Sequence, residues 1–178
     1  MNKNENIKIR QEHPSDYSEV YELVKLSFST VPDSDGTEAD YLNEIREKDT
    51  FIPELSLVAE NVDGTLVGQI VLYKTKVDTS QEEHIELLLS PISVHPNYFR
   101  RGIARGMINE ALNIARKMGF KAVFLCGDPV IYERLGFLPS YHYNIFHKSD
   151  KSKTAKWSMV RELYNGALSK ITGTVDTV

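Results

Sequence analysis

One cysteine, Cys126, stands in 178 residues. An intrachain disulfide is therefore excluded, and so is a cluster of cysteine metal ligands. A lone thiol fits a reducing cytosol, so the expectation is a cytoplasmic protein. His13, His95, His142 and His147 have no metal-ligand spacing and read as structural or exposed. No apolar run reaches the roughly 20 residues of a membrane span. The opening Met-Asn-Lys-Asn-Glu-Asn lacks the apolar stretch of a signal peptide. Positive charge is not in excess either. The formal net charge is -4, which argues against binding nucleic acid through a broad basic surface. Repeats, linkers and low-complexity blocks are absent.

What is present is an ordinary soluble composition, 41% hydrophobic and 26% charged. The length suits one domain with a real core. The expectation is a single domain over residues 1–178, with its core at about 7–163 and a short C-terminal extension at 164–178. Periodicity sets the elements. Residues 7–10 alternate as a strand. Ser15 is the expected cap of a helix over 16–29, carried by Val20, Leu23, Val24 and Phe28. Thr37 is the expected cap of a second helix to about Lys48. Residues 57–60 and 66–73 read as a hairpin around Asp63-Gly64, and 75–83 as a polar connection. Residues 85–94 form a long apolar strand. Its Ser90-Pro91 predicts a bulge or a splay, because proline lacks the ladder donor.

A third helix starts near Gly102. Ile103, Met107, Ile108, Ala111, Leu112, Ala115 and Met118 share one stripe, and Gly119 ends it. Residues 122–126 read as a short buried strand, and Pro129 opens a short helix closed by Gly136. Residues 141–146 and 157–163 read as strands around a lysine- and serine-rich loop, with a last strand at 171–175. Strands alternating with helices predict a mixed α/β sheet.

One stretch carries chemistry by itself. Residues 92–108 read Ile-Ser-Val-His-Pro-Asn-Tyr-Phe-Arg-Arg-Gly-Ile-Ala-Arg-Gly-Met-Ile. An apolar strand end runs through a proline turn into a basic glycine loop, and the loop opens a helix. A helix start leaves backbone N–H groups without partners and carries partial positive charge. Gly102 lets a ligand come close to the main chain. Arg100, Arg101 and Arg105 add full charges. A diphosphate suits such a place. No Gly-Lys-Ser/Thr follows and no Gly-x-Gly-x-x-Gly is present, so neither a P-loop nor a dinucleotide fingerprint is read.

The window Phe99-Arg100-Arg101-Gly102-Ile103-Ala104 resembles the acyl-CoA loop of the GNAT N-acetyltransferase superfamily, Gln/Arg-x-x-Gly-x-Gly/Ala. Gly102 and the small Ala104 match. Phe99 stands where the family has Gln or Arg, which changes one side-chain contact and spares the backbone cradle. Residues 123–137 carry a second hallmark, Tyr-x-x-x-Gly-Phe after a short strand, here Tyr132, Gly136 and Phe137. The wording Leu-x-Gly-Asp-Pro-x-x-Tyr-x-x-x-Gly-Phe looks like a bacterial subgroup of predicted GNAT acetyltransferases. The order of elements is similar to the family's over residues 7–163.

This resemblance implies an α/β (α+β) GNAT fold. Its sheet is mixed and mostly antiparallel, with six to seven strands, a splayed strand pair and about four helices. It implies an acyltransferase that moves the acetyl group of acetyl-CoA to a primary amine of a small molecule, by direct attack in a ternary complex and without a metal. The main chain of Ile92, Ser93 and Val94 would bond the pantetheine arm. The loop at 99–104, with Arg105, would hold the diphosphate. Tyr132 would lie near the CoA sulfur. A phenol with pKa about 10 can protonate a departing thiolate, and ring packing on the cofactor is its plainer role. Glu86 lies on the long strand, where several family members place a glutamate, and is the candidate base. His84 shares its face by parity. A solvated strand start is the plainer reading of both. Asp128 stands where many members have a CoA-contacting asparagine, yet its place ahead of Pro129 reads as a helix cap.

Cys126 follows Phe124 and Leu125 and reads as buried and inert. Two other functions stay open: a catalytically silent acyl-CoA-binding or regulatory module, and a protein-lysine acetyltransferase. Residues 31–52, 75–83 and 148–156 would set the acceptor. Glu38, Asp40, Glu44 and Glu47 there read as a solvated helix face. Neither a membrane nor a nucleic acid is an expected partner, and a homodimer is compatible with the chain.

Overall fold

Val20, Leu23 and Val24 recur at helical spacing, and all three are buried on α1, Tyr17–Phe28. The structure, a computed structural model, describes residues 6–32, 34–80 and 82–177. It divides into two compact units. Unit one is the stretch up to Val71 with Ser90–Ile114. Unit two is Leu72–Leu89 with the stretch from Ala115 onward.

Unit one begins with β1, Lys8–Gln11, which pairs antiparallel with β2, Ser56–Glu60, through Ile9↔Ala59 and its neighbours. β2 pairs antiparallel with the first half of β3, Leu66–Asp78, through Leu57↔Ile70. The end of β4, Glu83–Val94, also belongs here. So do α1, α2 (Glu38–Arg46) and most of α3 (Ile103–Lys117). The core is apolar: Val24, Leu42, Ile45, Val58, Ile70, Met107 and Ile108 are all buried. One ion pair lies inside it. Arg46 of α2 pairs with Glu12 just after β1, and Ser56 Oγ donates to the same carboxylate at 2.7 Å. The Arg46 guanidinium also lies 4.0 Å from the centre of the Tyr17 ring. Removing one partner would leave a buried charge alone, so the pair ties α2 to the sheet.

Unit two holds the rest of β3 and β4. It adds β5 (Ala122–Cys126), α4 (Pro129–Tyr132), β6 (Leu138–Pro139), β7 (Ile145–His147), β8 (Ser158–Glu162) and β9 (Gly173–Val175). β4 and β5 run parallel at Leu87↔Val123 and Leu88↔Phe124. β5 pairs antiparallel with β8, and β8 with β6. β9 pairs antiparallel with β3 at Val77↔Val175 and parallel with β7 at Phe146↔Thr174. Among the described residues the fold is mixed α/β, with nine strands in a mostly antiparallel sheet and four α-helices.

Nine strands replace the expected six to seven, for local reasons. β3 continues to Asp78 through the expected polar connection. Lys74 and Lys76 are exposed while Val77 is buried, an alternation masked by its polar members. Residues 141–146 are not one strand. Ser140–Tyr143 is a 3-10 turn closed by Asn144 at φ +56°, and only Ile145–His147 extends. Leu138–Pro139 was too short for periodicity to mark. The C-terminal residues are part of the sheet through β9 rather than an appendage. Ser15 does not cap α1. It lies in a 3-10 turn, Pro14–Asp16, where Asp16 accepts the His13 N–H at 2.8 Å. Met118 is 46% exposed, because α3 ends at Lys117.

Candidate active site

In unit one the strand end leads directly into the loop. The His95 N–H donates to Val67 O at 2.9 Å, so Ser93 and His95 turn their main chain toward β3. By the same pleat, Ile92 and Val94 turn their N–H and C=O groups to the opposite edge. At Val94 a side chain meets them. Ser27 Oγ donates to Val94 O at 3.0 Å and accepts the Val94 N–H at 3.3 Å, as a neighbouring strand would. Ser27 carries no motif. Its only sequence signal is a polar side chain on the buried stripe of α1. Ser93 is buried, and its hydroxyl has no partner among the described residues.

Past β4, a 3-10 turn over Pro96–Tyr98 delivers the chain to the loop. Arg100 has φ +62° and Gly102 has φ +82°, both left-handed. A Cβ on Gly102 would meet no atom within 4 Å, so the main chain is open there. The first helical bond of α3 runs from Gly106 N–H to Gly102 O at 2.9 Å. The N–H groups of Ile103 and Ala104 precede that bond, in the first turn of the helix. Ile103 is buried and anchors the turn, while Phe99, Arg100, Arg101 and Arg105 are exposed. Arg101 donates to Asn97 O at 2.9 Å, with its guanidinium 4.8 Å from the Tyr98 ring centre.

Unit two places the other predicted residues. Glu86 is only 2% exposed. Its Oε2 accepts the N–H of Lys121 at 2.9 Å and of Ala122 at 3.1 Å, so the carboxylate also holds the start of β5. Burial raises its pKa above the ordinary carboxyl value, and the two N–H bonds oppose that rise. The His84 Nε2 lies 3.3 Å from Glu82.

At the far end of β5, Asp128 accepts the Val130 N–H at 2.9 Å and caps α4, as its position predicts. Tyr132 ends that helix. Its N–H donates to Asp128 O at 3.1 Å, and its carbonyl accepts the Phe137 N–H at 3.1 Å. Its ring meets the Phe137 ring edge-on, with centres 5.9 Å apart. Burial pushes the phenol above its ordinary pKa, so it stays protonated at neutral pH. The hydroxyl has no hydrogen-bond partner among the described residues.

Cys126 differs from expectation. Val123, Phe124 and Leu125 are buried, but the strand ends at Cys126, which is exposed, with Sγ 3.0 Å from Thr177 Oγ1. His147 is buried and structural. Its Nδ1 accepts the Ser149 N–H at 3.1 Å and its Nε2 lies 2.7 Å from Thr177 Oγ1. Among the described residues no three of His, Cys, Asp and Glu are grouped to hold a metal. No helix there is long and apolar enough to cross a membrane.

Comparison with known proteins bears on family and fold. The family model for the acetyltransferase (GNAT) domain matches residues 8–139. The chain is 31% identical over 168 residues to YhbS, an uncharacterized N-acetyltransferase of Escherichia coli K12, covering 94% of each. The crystal structure of E. coli YhbS in complex with CoA matches with a TM-score of 0.82 at 28% identity, over 99% of this chain and 92% of that one. A GNAT family acetyltransferase from Brucella melitensis, solved with acetyl-CoA, matches with a TM-score of 0.68 at 30% identity, over 75% of this chain and 84% of that one.

Proposed function

The chain belongs to the GNAT acetyltransferase family, and from that premise we propose that it moves the acetyl group of acetyl-CoA to a primary amine of a small molecule, by direct attack in a ternary complex. It is an acetyl-CoA-dependent acyltransferase. One observation carries the donor half of this reading. Arg100 and Gly102 are left-handed ahead of α3, the main chain at Gly102 is open, and exposed arginines flank it. That loop takes the diphosphate. Ile92 and Val94 offer main-chain groups to the pantetheine arm, with Ser27 as its competitor at Val94.

In the transfer, the amine nitrogen bonds to the carbonyl carbon and the C–S bond breaks. The amine proton goes to Glu86, and the thiolate takes a proton from Tyr132. Tyr132 suits the acid role because its hydroxyl is protonated and otherwise unpartnered. Glu86 suits the base role because burial lifts its carboxyl toward the working pH. Its two backbone bonds hold it in one orientation. A cytoplasmic location goes with this reading.

The test is thiol release from acetyl-CoA against a panel of primary amines: a polyamine, an aminosugar, free amino acids and a lysine peptide. Amine-dependent release with a small amine is the expected result. Release only with the lysine peptide moves the acceptor to protein. Calorimetric binding of acetyl-CoA without release under any amine makes the chain a binding module and ends the proposal.

A further inference from the structure

We infer that Gly127 is a positioning residue, which sets where the Tyr132 hydroxyl sits by leaving room for its ring against the bare backbone. The inference deepens the reading of Tyr132 as the acid and rests on it.

Gly127 joins the end of β5 to Asp128, the cap of α4. Its N–H donates to Trp157 O at 2.9 Å, so the turn is fixed to the residue that precedes β8. Its backbone is not among the left-handed glycines. Any L-residue can therefore adopt its conformation, and the turn itself does not demand glycine. The neighbouring ring does. A Cβ at Gly127 would lie 2.3 Å from Tyr132 Cε2 and 2.6 Å from Cδ2. Those separations are far inside carbon–carbon contact. The Tyr132 ring thus lies against the bare backbone of the turn.

The ring is bounded on other sides as well. The edge of Phe137 stands with its centre 5.9 Å away. The backbone of Tyr132 is bonded on both sides, to Asp128 O and from Phe137 N–H. A methyl group at Gly127 must therefore drive the ring off its seat. The hydroxyl at the ring's end moves with it, and no protein group is there to recapture it. Proton transfer depends on that atom's position within hydrogen-bond reach, so a displacement of an ångström is felt in turnover rather than in donor binding.

The test is Gly127→Ala, assayed by thiol release from acetyl-CoA with the best amine of the panel, in the wild-type and Tyr132→Phe backgrounds. In the wild type, kcat is expected to fall by about 10-fold or more while KM for acetyl-CoA changes by less than about 3-fold. On top of Tyr132→Phe, the same change is expected to alter kcat by less than about 2-fold, because the hydroxyl it misplaces is already gone. Equal kcat losses in both backgrounds overturn the inference. A second cycle reads stability. Gly127→Ala is expected to lower Tm with Tyr132 present and to leave it nearly unchanged in Tyr132→Ala, where the ring is absent. Should Gly127→Ala fail to fold, the double variant must fold; an unfolded double variant overturns the inference. If Tyr132→Phe alone turns over normally, the acid reading falls, and the Tm cycle still decides whether Gly127 seats the ring.

Discussion

The loop ahead of α3 works with main chain, whereas the turn after β5 works with one side chain. In the loop, Arg100 and Gly102 are left-handed and exposed, and nothing packs where a Gly102 Cβ would go. In the turn, the Tyr132 ring is seated between the Gly127 backbone and Phe137, with no room for one methyl group. The contrast follows from what each place is asked to do. An anion is held by several N–H groups and long-range charge, which tolerate small displacements. A proton is transferred by one atom at hydrogen-bond distance, which does not. An open loop serves the first task, and the second needs a packed support.

The sharpest way to break the comparison is at the loop glycine. Gly102→Glu puts a side chain at φ +82° and a negative charge where the diphosphate would lie. Calorimetry is expected to detect no acetyl-CoA binding, with the circular dichroism spectrum unchanged. Wild-type affinity in this variant would remove the loop from the site.

Tyr132→Phe tests the other side with the next largest effect. The ring and its contacts stay, so acetyl-CoA affinity should hold. Turnover should fall by ~10²-fold, the scale of a lost general acid. The phenol is raised by burial, so the alkaline limb of the wild-type rate profile should lie above the ordinary tyrosine range and vanish in the variant. Near-normal turnover would make the hydroxyl structural.

Glu86→Gln is expected to lower turnover by about 10-fold, less than the loss of the acid, because an amine arriving neutral needs no base. The same variant carries a separate pH signature. The folded pKa of Glu86 is raised above its unfolded value. The stability it contributes is therefore present below the unfolded value and is lost as pH rises through the folded one. The Tm difference, Gln variant minus wild type, should be constant in acid and should grow across that window. A pH-independent difference would mean that Glu86 is ionised at no cost.

The smallest effect belongs to the arginines. Arg100→Ala should weaken acetyl-CoA binding by about 1 kcal/mol or less, because exposed ionic contacts are weak. The loss should shrink further as salt is raised. A much larger, salt-resistant loss would mean that the loop packs around its ligand as tightly as the turn packs around Tyr132.

The two regions also differ in how they could be read beforehand. The loop is contiguous, and glycine, arginine and a helix start are local signals, so Gly102, Arg100 and the start of α3 followed from residue order. Tyr132 was visible only as a motif letter. Gly127 stands in the same motif, five positions earlier, but the spacing does not say that the ring lies on it. Ser27 belongs to no motif, and its hydroxyl meets Val94, 67 positions away. Cys126 is exposed although its strand neighbours are apolar, because the composition of a strand does not say where the strand stops.

By itself, the sequence determined what is local or periodic. The buried stripes of α1 and α3, the open basic loop and the Asp128 cap each depend on residues within a few turns of one another, and the single cysteine excludes an intrachain disulfide wherever it lies. Tertiary structure alone decided the long-range matters. It extended β3 to Asp78, where β9 pairs with Val77 and Asp78. It turned the Glu86 carboxylate onto the first N–H groups of β5. It set the Ser27 hydroxyl against the main chain of Val94. Each of these depends on which distant atoms come within a few ångströms, and packing in three dimensions sets that.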